Sequence, residues 1–267
     1  MHRKIEYFSN IFAPKLTLMK TFVKFILQKT VGLKTYLYVF AQFVIVKLRW
    51  DKKENDFFHF LKLIPDRGFI LDLGANIGAT SYHLAKSKPL STVFSFEPLE
   101  LNMNTLKRIK RRFRLKNIRE FQVAVGENPG TLEMVMPVVH NVAMHGLSHV
   151  VEEGENGQEE GITCRIPVIC LDTFEPINTG EQKVTAMKID VENFEYHVLK
   201  GGIEMIKRDH PVIYCELWDN DNRKKCMEFL NNLGYSTLVL ERKNLVPPEK
   251  AGTKKQNFFF LPPGAKS

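Results

Sequence analysis

The sequence predicts a doubly wound α/β fold on a mostly parallel, seven-stranded sheet, and three observations carry that expectation. From residue 68 onward, short apolar runs alternate with helical patterns of ten or more residues, the rhythm of strand–helix–strand units. A glycine turn, Asp72-Leu-Gly-Ala-Asn-Ile-Gly78, directly follows the first such run and precedes a helical one. The 267 residues suffice for one full-size domain plus a short appendage, and a content of 44% hydrophobic and 25% charged residues sets extended disorder aside.

The appendage comes first. Residues 1–55 read as a basic helical extension and 56–267 as the main domain. Up to residue 55 there are eleven basic side chains against three acidic ones, a surplus equal to the whole chain's net charge of +8. That asymmetry points to an anionic neighbour for this segment rather than to a protein basic throughout. Residues 13–49 carry Met19, Phe22, Val23, Ile26, Leu33, Leu37, Phe40 and Val44 at helical spacing, with Gly32 as a break. The stripe suits a helical cap packed on the domain. The alternative is peripheral contact with a membrane surface, lysines toward anionic lipid. The most apolar run, residues 36–46, falls short of the roughly twenty residues a spanning helix needs. No apolar core followed by a small-residue cleavage site marks a signal peptide.

The domain follows in order. Strands are expected at Phe69–Leu73, Thr92–Phe96, Ile118–Val125, Val184–Ile189, Val212–Leu217, Thr237–Leu240 and Phe258–Leu261. Helices are expected from the glycine turn to about Lys86, from Leu99 to Leu115, and near Phe194–Leu199 and Arg223–Leu233. Between Gly130 and Phe174 the rhythm breaks. Thr131–Met136 and Thr163–Leu171 read as an inserted β unit flanking a polar loop at 152–160, placed to overhang the carboxyl ends of the strands, where open α/β sheets bind ligands. In the basic run from Leu106 to Lys116, Leu106, Ile109 and Phe113 share one helical face. The basic residues therefore form a solvated outer face, and no nucleic-acid partner is expected. Cys164, Cys170, Cys215 and Cys226 form no C-x-x-C pair, and no N-x-[ST] sequon occurs. Both features suit reduced thiols and a cytoplasmic protein, peripheral to the inner face of a membrane if the extension docks there.

Three blocks carry chemistry. In the first, Gly74 lets the backbone bend sharply and Gly78 permits close packing at the helix start. The glycines are four apart and Asp72 precedes them, unlike a dinucleotide fingerprint, whose pyrophosphate needs backbone amides unopposed by negative charge. A sulfonium-bearing zwitterion tolerates such an acid. In the second, Glu97 ends the next strand about twenty residues on, where a carboxylate accepts hydrogen bonds from ribose hydroxyls. In the third, Lys188-Ile-Asp190-Val-Glu192 ends a later strand, and with Glu216 it forms an acidic group. Such a group suits holding an ammonium, accepting a hydroxyl proton or binding a divalent cation, though no metal ligands are assigned. The bland reading is helix-start acids with a surface ion pair to Lys188.

Together these blocks resemble the FkbM family of methyltransferases, within the class I S-adenosylmethionine-dependent, Rossmann-like fold. The resemblance rests on Leu71–Gly78, Phe96-Glu-Pro98, Val123-Ala-Val-Gly126, Leu171-Asp-Thr173, Met187–Glu192, Leu199-Lys-Gly-Gly202 and Pro211–Glu216, and leaves the N-terminal extension uncovered. It implies S-adenosylmethionine as cofactor, the methionine moiety on the turn holding Asp72, Gly74, Asn76 and Gly78, the ribose on Glu97, the adenine beside Val123 and Ala124, and Asp190 next to the methyl-transfer centre. It further implies transfer to a hydroxyl oxygen of a sugar, glycan or secondary metabolite. Asp190 is the first candidate base, with Glu192 and Glu216 behind it and His145 or His149 of the insertion as alternatives. Asn193 stands where the family usually has glycine, and asparagine tolerates the left-handed backbone that position needs. An RNA methyltransferase and a non-catalytic binding protein of the same fold are the competing readings. A dehydrogenase is disfavoured by the glycine spacing.

Overall fold

Apolar runs buried on both faces pair side by side to make the central layer of the computed structural model, which describes residues 28, 30–51, 54–139, 142–143, 149–150 and 161–265. Strand β1 (Phe69–Leu73) is buried at all five positions, as expected of a parallel strand covered on both sides. It pairs in parallel with β2 (Thr92–Phe96) on one side and β9 (Val184–Ile189) on the other. Beyond β2 lies β3 (Ile118–Phe121), and beyond β9 lies β10 (Val212–Glu216), both parallel. The sheet then changes character. Strand β13 (Asn257–Leu261) inserts antiparallel between β10 and β11 (Ser236–Glu241), and β12 (Asn244–Val246) folds back on β11.

The sheet order is β12-β11-β13-β10-β9-β1-β2-β3. The expectation of seven, mostly parallel strands is thereby corrected: there are eight, and the sheet is mixed. The extra strand escapes a sequence reading because its two-residue turn is Arg242-Lys243, without the Asn-Gly or Gly-X signature of a tight hairpin. Arg242 supplies the needed left-handed backbone itself, at φ 58°.

Helices cover both faces. Phe69, Leu71 and Leu73 point to the layer of α5 (Glu195–Lys200), α6 (Ile203–Asp209) and α7 (Asp221–Asn232), through Val198, Leu199, Ile206 and Leu230. The alternate residue Ile70 meets α2 (Asn55–Leu63), α3 (Ala79–Ser87) and α4 (Glu100–Arg112), through Phe57, Phe60, Leu84 and Leu106. This two-residue alternation is the pleat at work. All four cysteines are free, with Cys215 and Cys226 buried.

The expected third strand is broken. After Phe121 the chain leaves the main sheet, and β4 (Ala124–Val125) pairs instead with β8 (Gly161–Ile169). Strand β5 (Gly130–Val139) runs antiparallel to β8 from Gly130↔Val168 to Pro137↔Gly161, with β6 (Val142–Ala143) and β7 (His149–Val150) at its far end. The insertion is therefore a second small sheet.

Helix α1 (Leu33–Leu48) starts at Gly32, whose φ of 77° breaks the helix as its position suggested. Leu37, Ala41, Ile45 and Leu48 pack on Ile77, Ala79 and Ile109. Arg108 of α4 reaches across to the Lys34 carbonyl at 2.9 Å and covers the Tyr38 ring at 3.9 Å. Of the expected stripe, Leu37 is buried and Leu33 and Val44 pack against this cluster, whereas Phe40 is exposed and small Ala41 sits at the contact and lets the helices approach. The residues expected in the stripe at 19–26 lie outside the described residues. Of the basic run, Leu106 meets the sheet side, whereas Ile109 lies under α1. Arg111, Arg112, Arg114 and Lys116 are solvated. Among the described residues no helix is long and apolar enough to cross a membrane.

Candidate active site

Strand register assembles the site. Leu73 of β1 stands level with Phe96 of β2 and Ile189 of β9. The next residue of each strand, Gly74, Glu97 and Asp190, therefore leaves the sheet at one height. The junction of β1 and β9 is also where the strand order reverses direction, the switch point at which open α/β sheets leave a crevice. One step inside the sheet, the same register sets Asp72 beside Lys188 and Ser95.

A crevice of about 690 Å³, its open mouth included, occupies this place. Leu73, Phe96, Leu99, Val123, Val125, Met134 and Phe194 give it apolar walls, with Met134 contributed by the inserted sheet. Glu97, Asp190 and Glu192 bring three carboxylates, and no cationic side chain is among its lining residues.

Backbone conformation shapes the floor. Gly74 has φ 77°, and a Cβ there would sit 1.8 Å from the Asp190 carbonyl oxygen. Gly78 begins α3 at φ 84°, where a Cβ would press on Leu106 at 2.9 Å. Across the crevice, Glu192 and Asn193 are left-handed in succession, at φ 54° and 74°. Asn193 thus adopts the conformation for which asparagine is suited. Glu195 clamps this loop: its Oε1 accepts from the Val191 and Asn193 amides at 3.2 Å each, and its Oε2 accepts from Asn222. It is 2% exposed and acts as a buttress.

Glu97 is buried yet well bonded. Its Oε2 accepts from the Asn76 amide at 2.9 Å, and its Oε1 accepts from the Leu99 amide at 3.0 Å and Asn102 Nδ2 at 3.2 Å. Burial still outweighs these bonds and pushes its carboxyl up to about 7. Burial, reinforced by Asp190, also pushes Glu192 and Glu216 up to about 7. Lys188 donates to the Gly74 carbonyl at 3.1 Å and pairs with Asp190 at 3.2 Å and Asp72 at 3.7 Å. Burial alone would lower the ammonium, but the carboxylates of Asp190 and Asp72 outweigh it and hold the pKa above the ordinary lysine value.

The residues singled out from sequence thus fall into groups. Gly74, Asn76, Glu97, Val123, Ala124, Asp190 and Glu192 line the crevice. Asp72 lies beneath it, fully buried, accepting from Thr80 at 3.0 Å and Ser81 at 2.5 Å. Gly78 lies at the helix start below. Glu216 is outside the lining but close enough to Asp190 for that charge to raise its pKa. His145 lies outside the described residues, and nothing is described of the His149 side chain. Among the described residues, no group of three or more His, Cys, Asp or Glu side chains is arranged to hold a metal ion.

A sequence model of the methyltransferase FkbM domain matches residues 72–237, well over half of the chain. The chain belongs to the FkbM methyltransferase family. It is a methyltransferase, with S-adenosylmethionine as its cofactor. The chain is 26% identical over 204 residues to Methyltransferase 1 of Beauveria bassiana (strain ARSEF 2860), a match covering 69% of this chain and 78% of that protein. It is 26% identical over 164 residues to Methyltransferase sdnD of Sordaria araneosa, covering 52% of this chain and 61% of that protein. A solved methyltransferase FkbM from Methylobacillus flagellatus KT superposes with a TM-score of 0.48 at 19% identity, over 73% of this chain and 44% of that one. The chain spans less than half of that structure.

The crevice fits the family's cofactor on its own chemistry. A sulfonium and an ammonium suit a lining of carboxylates without cations, whereas a pyrophosphate would be repelled. Three neighbours escaped the sequence reading. Lys188, a surface ion-pair partner only in the bland reading, is an interior cation, 4% exposed; its signal is a lone lysine within an apolar strand. Asn102 is buried at the crevice wall. Glu54, which precedes α2, lies near enough to Asp190 and Glu216 to exchange charge effects with both. No sequence signal links it to residues so far along the chain.

Proposed function

We propose that this enzyme transfers the methyl group of S-adenosylmethionine to a hydroxyl oxygen of a small-molecule or glycan acceptor, in the crevice beyond β1, β2 and β9. The observation that carries this reading is a single crevice with apolar walls, carboxylates on both sides and no cationic lining. When bound, S-adenosylmethionine supplies an electrophilic methyl group on positively charged sulfur. The Gly74–Asn76 turn receives the methionyl portion, Glu97 accepts from the ribose, and Val123 and Ala124 border the adenine. Asp72 and Gly78 hold that turn from beneath.

A hydroxyl is a weak nucleophile, so a positioned base must take its proton as the bond to carbon forms. Asp190 already accepts from Lys188, which leaves it to orient the reacting groups. Glu192 lines the crevice with a pKa of about 7, matched to proton transfer near neutral pH, and we assign it as the base. Glu216, one strand further out, is the reserve carboxylate. The test is incubation with methyl-labelled S-adenosylmethionine and separated glycan, lipid, small-molecule and RNA fractions. Label on a hydroxyl-bearing small molecule or glycan is expected. Label confined to RNA would replace this reading with an RNA methyltransferase.

Residues 1–55 serve as an extension on the 56–267 domain and as its contact with an anionic membrane surface. Two features support this. The face of α1 turned away from the domain exposes Val39, Phe43 and Val46, Trp50 just beyond the helix is 83% exposed, and residues 1–55 hold the chain's basic surplus. Flotation with vesicles containing phosphatidylserine checks it. The chain should rise with the vesicles, and Phe43→Ser with Trp50→Ser should abolish this. Equal behaviour of variant and parent would remove the membrane role.

A further inference from the structure

The ribose partner can be resolved further by counting hydrogen bonds; this step rests on the crevice holding S-adenosylmethionine. An ionised carboxylate offers about four lone-pair sites. Three of those on Glu97 are taken by the Asn76 amide, the Leu99 amide and Asn102 Nδ2. The two bonds on Oε1 leave the open site on Oε2. A vicinal diol brings two hydroxyl donors, so Glu97 satisfies one and the other needs a second acceptor.

Asn102 supplies it. This residue lies in the first turn of α4, lines the crevice and is 1% exposed. Its Nδ2 is committed to Glu97, which fixes the orientation of the amide. Its Oδ1 is buried without a hydrogen-bond partner among the described residues. A buried amide oxygen left unpaired is costly, and a ligand donor at the crevice wall removes that cost. The other side chains of the wall on this side are apolar: Phe96, Leu99 and Val123.

We propose that Glu97 and Asn102 act as a two-residue clamp on the cofactor's ribose diol, one hydroxyl donating to Glu97 Oε2 and the other to Asn102 Oδ1. Asn102 is thus a cofactor-binding residue with two tasks: it orients the carboxylate through its nitrogen and reads the second hydroxyl through its oxygen. An adenine nucleoside lacking either hydroxyl loses one arm of the clamp.

The test is calorimetric titration of the full chain with S-adenosylhomocysteine and its 2′-deoxy and 3′-deoxy analogues, for the parent, Asn102→Leu and Asn102→Ala. Leucine keeps the volume, and alanine guards against a packing failure. The parent should lose about tenfold in affinity for each deoxy analogue, the worth of one buried hydrogen bond. Each Asn102 variant should lose about tenfold for S-adenosylhomocysteine and then show no further loss with one deoxy analogue, while keeping the full loss with the other. Equal further losses with both analogues, or no loss on substitution, would overturn the clamp while leaving the cofactor site intact. A parent that binds none of the three would instead overturn the site itself.

Discussion

Replacing Gly74 by alanine should damage this enzyme through two separable effects. The first is the backbone: at φ 77° an alanine costs about 1–2 kcal/mol. The second is a collision. The new Cβ would lie 1.8 Å from the Asp190 carbonyl oxygen, and real Cβ contacts are essentially never below 3.0 Å, so the two segments must part by at least 1.2 Å. That movement strains the Gly74–Phe96 and Asp190–Leu73 backbone bonds and the Lys188 bond to the Gly74 carbonyl, each 3.1 Å. At about 0.5–1 kcal/mol for each of the three, the total with the backbone cost reaches about 3–5 kcal/mol. Gly180 supplies the control, since its φ is 78° but nothing lies within 4 Å of its Cβ position. Thermal unfolding should therefore show a fall of about 6–20 °C for Gly74→Ala against about 2–8 °C for Gly180→Ala. A displacement beyond 1 Å at the reacting groups should also lower methyl transfer by about 10²-fold in the first variant alone. Equal unfolding temperatures and equal rates in the two variants would refute the contact between the turn and the Asp190 loop.

Three further outcomes follow from the buried charges. Glu97 titrates at about 7 in the fold against 4.5 unfolded, so its contribution is fully present below pH 4.5 and is lost as pH rises to about 7; the loss is about 3 kcal/mol. Glu192 and Glu216 add to the fall over the same range, so urea unfolding without cofactor at pH 5 and pH 8 should show a fall in the parent that is smaller in Glu97→Gln, and an identical fall in both would contradict the assignment. Lys188→Met leaves Asp72 buried without its cation and should cost about 3–5 kcal/mol in urea unfolding; a cost below about 1 kcal/mol would show the pair to be unimportant. Methyl transfer should rise with pH through about 7 as Glu192 ionises, and Glu192→Gln should slow it by about 10²–10⁴-fold while sparing S-adenosylhomocysteine affinity. A variant that keeps the parent's pH profile would exonerate Glu192.

Sequence made the crevice legible because its chemistry sits at strand ends. A short apolar run fixes where a parallel strand stops, and Gly74, Glu97 and Asp190 each stand one residue past such a stop. The inserted sheet was also visible, since Thr131–Met136 and Thr163–Leu171 alternate as strands do. What sequence hid was pairing. The main sheet loses the chain after Phe121, where Ala124 and Val125 turn to Val168 and Ile169, and no local pattern distinguishes the two partners. Asp72 and Lys188 are 116 positions apart in sequence and meet only through the register of β1 with β9. That register makes the lysine an interior cation. On α1 the stripe was legible in Leu33, Leu37 and Val44, which meet the domain, and failed at Phe40, which faces outward. Ala41 marks the packed face by its small size, a signal that hydrophobicity alone passes over.

The most direct test of the account is a crystal structure of the full chain with S-adenosylhomocysteine. It should show the adenosyl group between Glu97 and the Val123–Ala124 segment, with the homocysteine portion on the Gly74–Asn76 turn. Density for the ligand anywhere else on the molecule would contradict the assignment of this crevice.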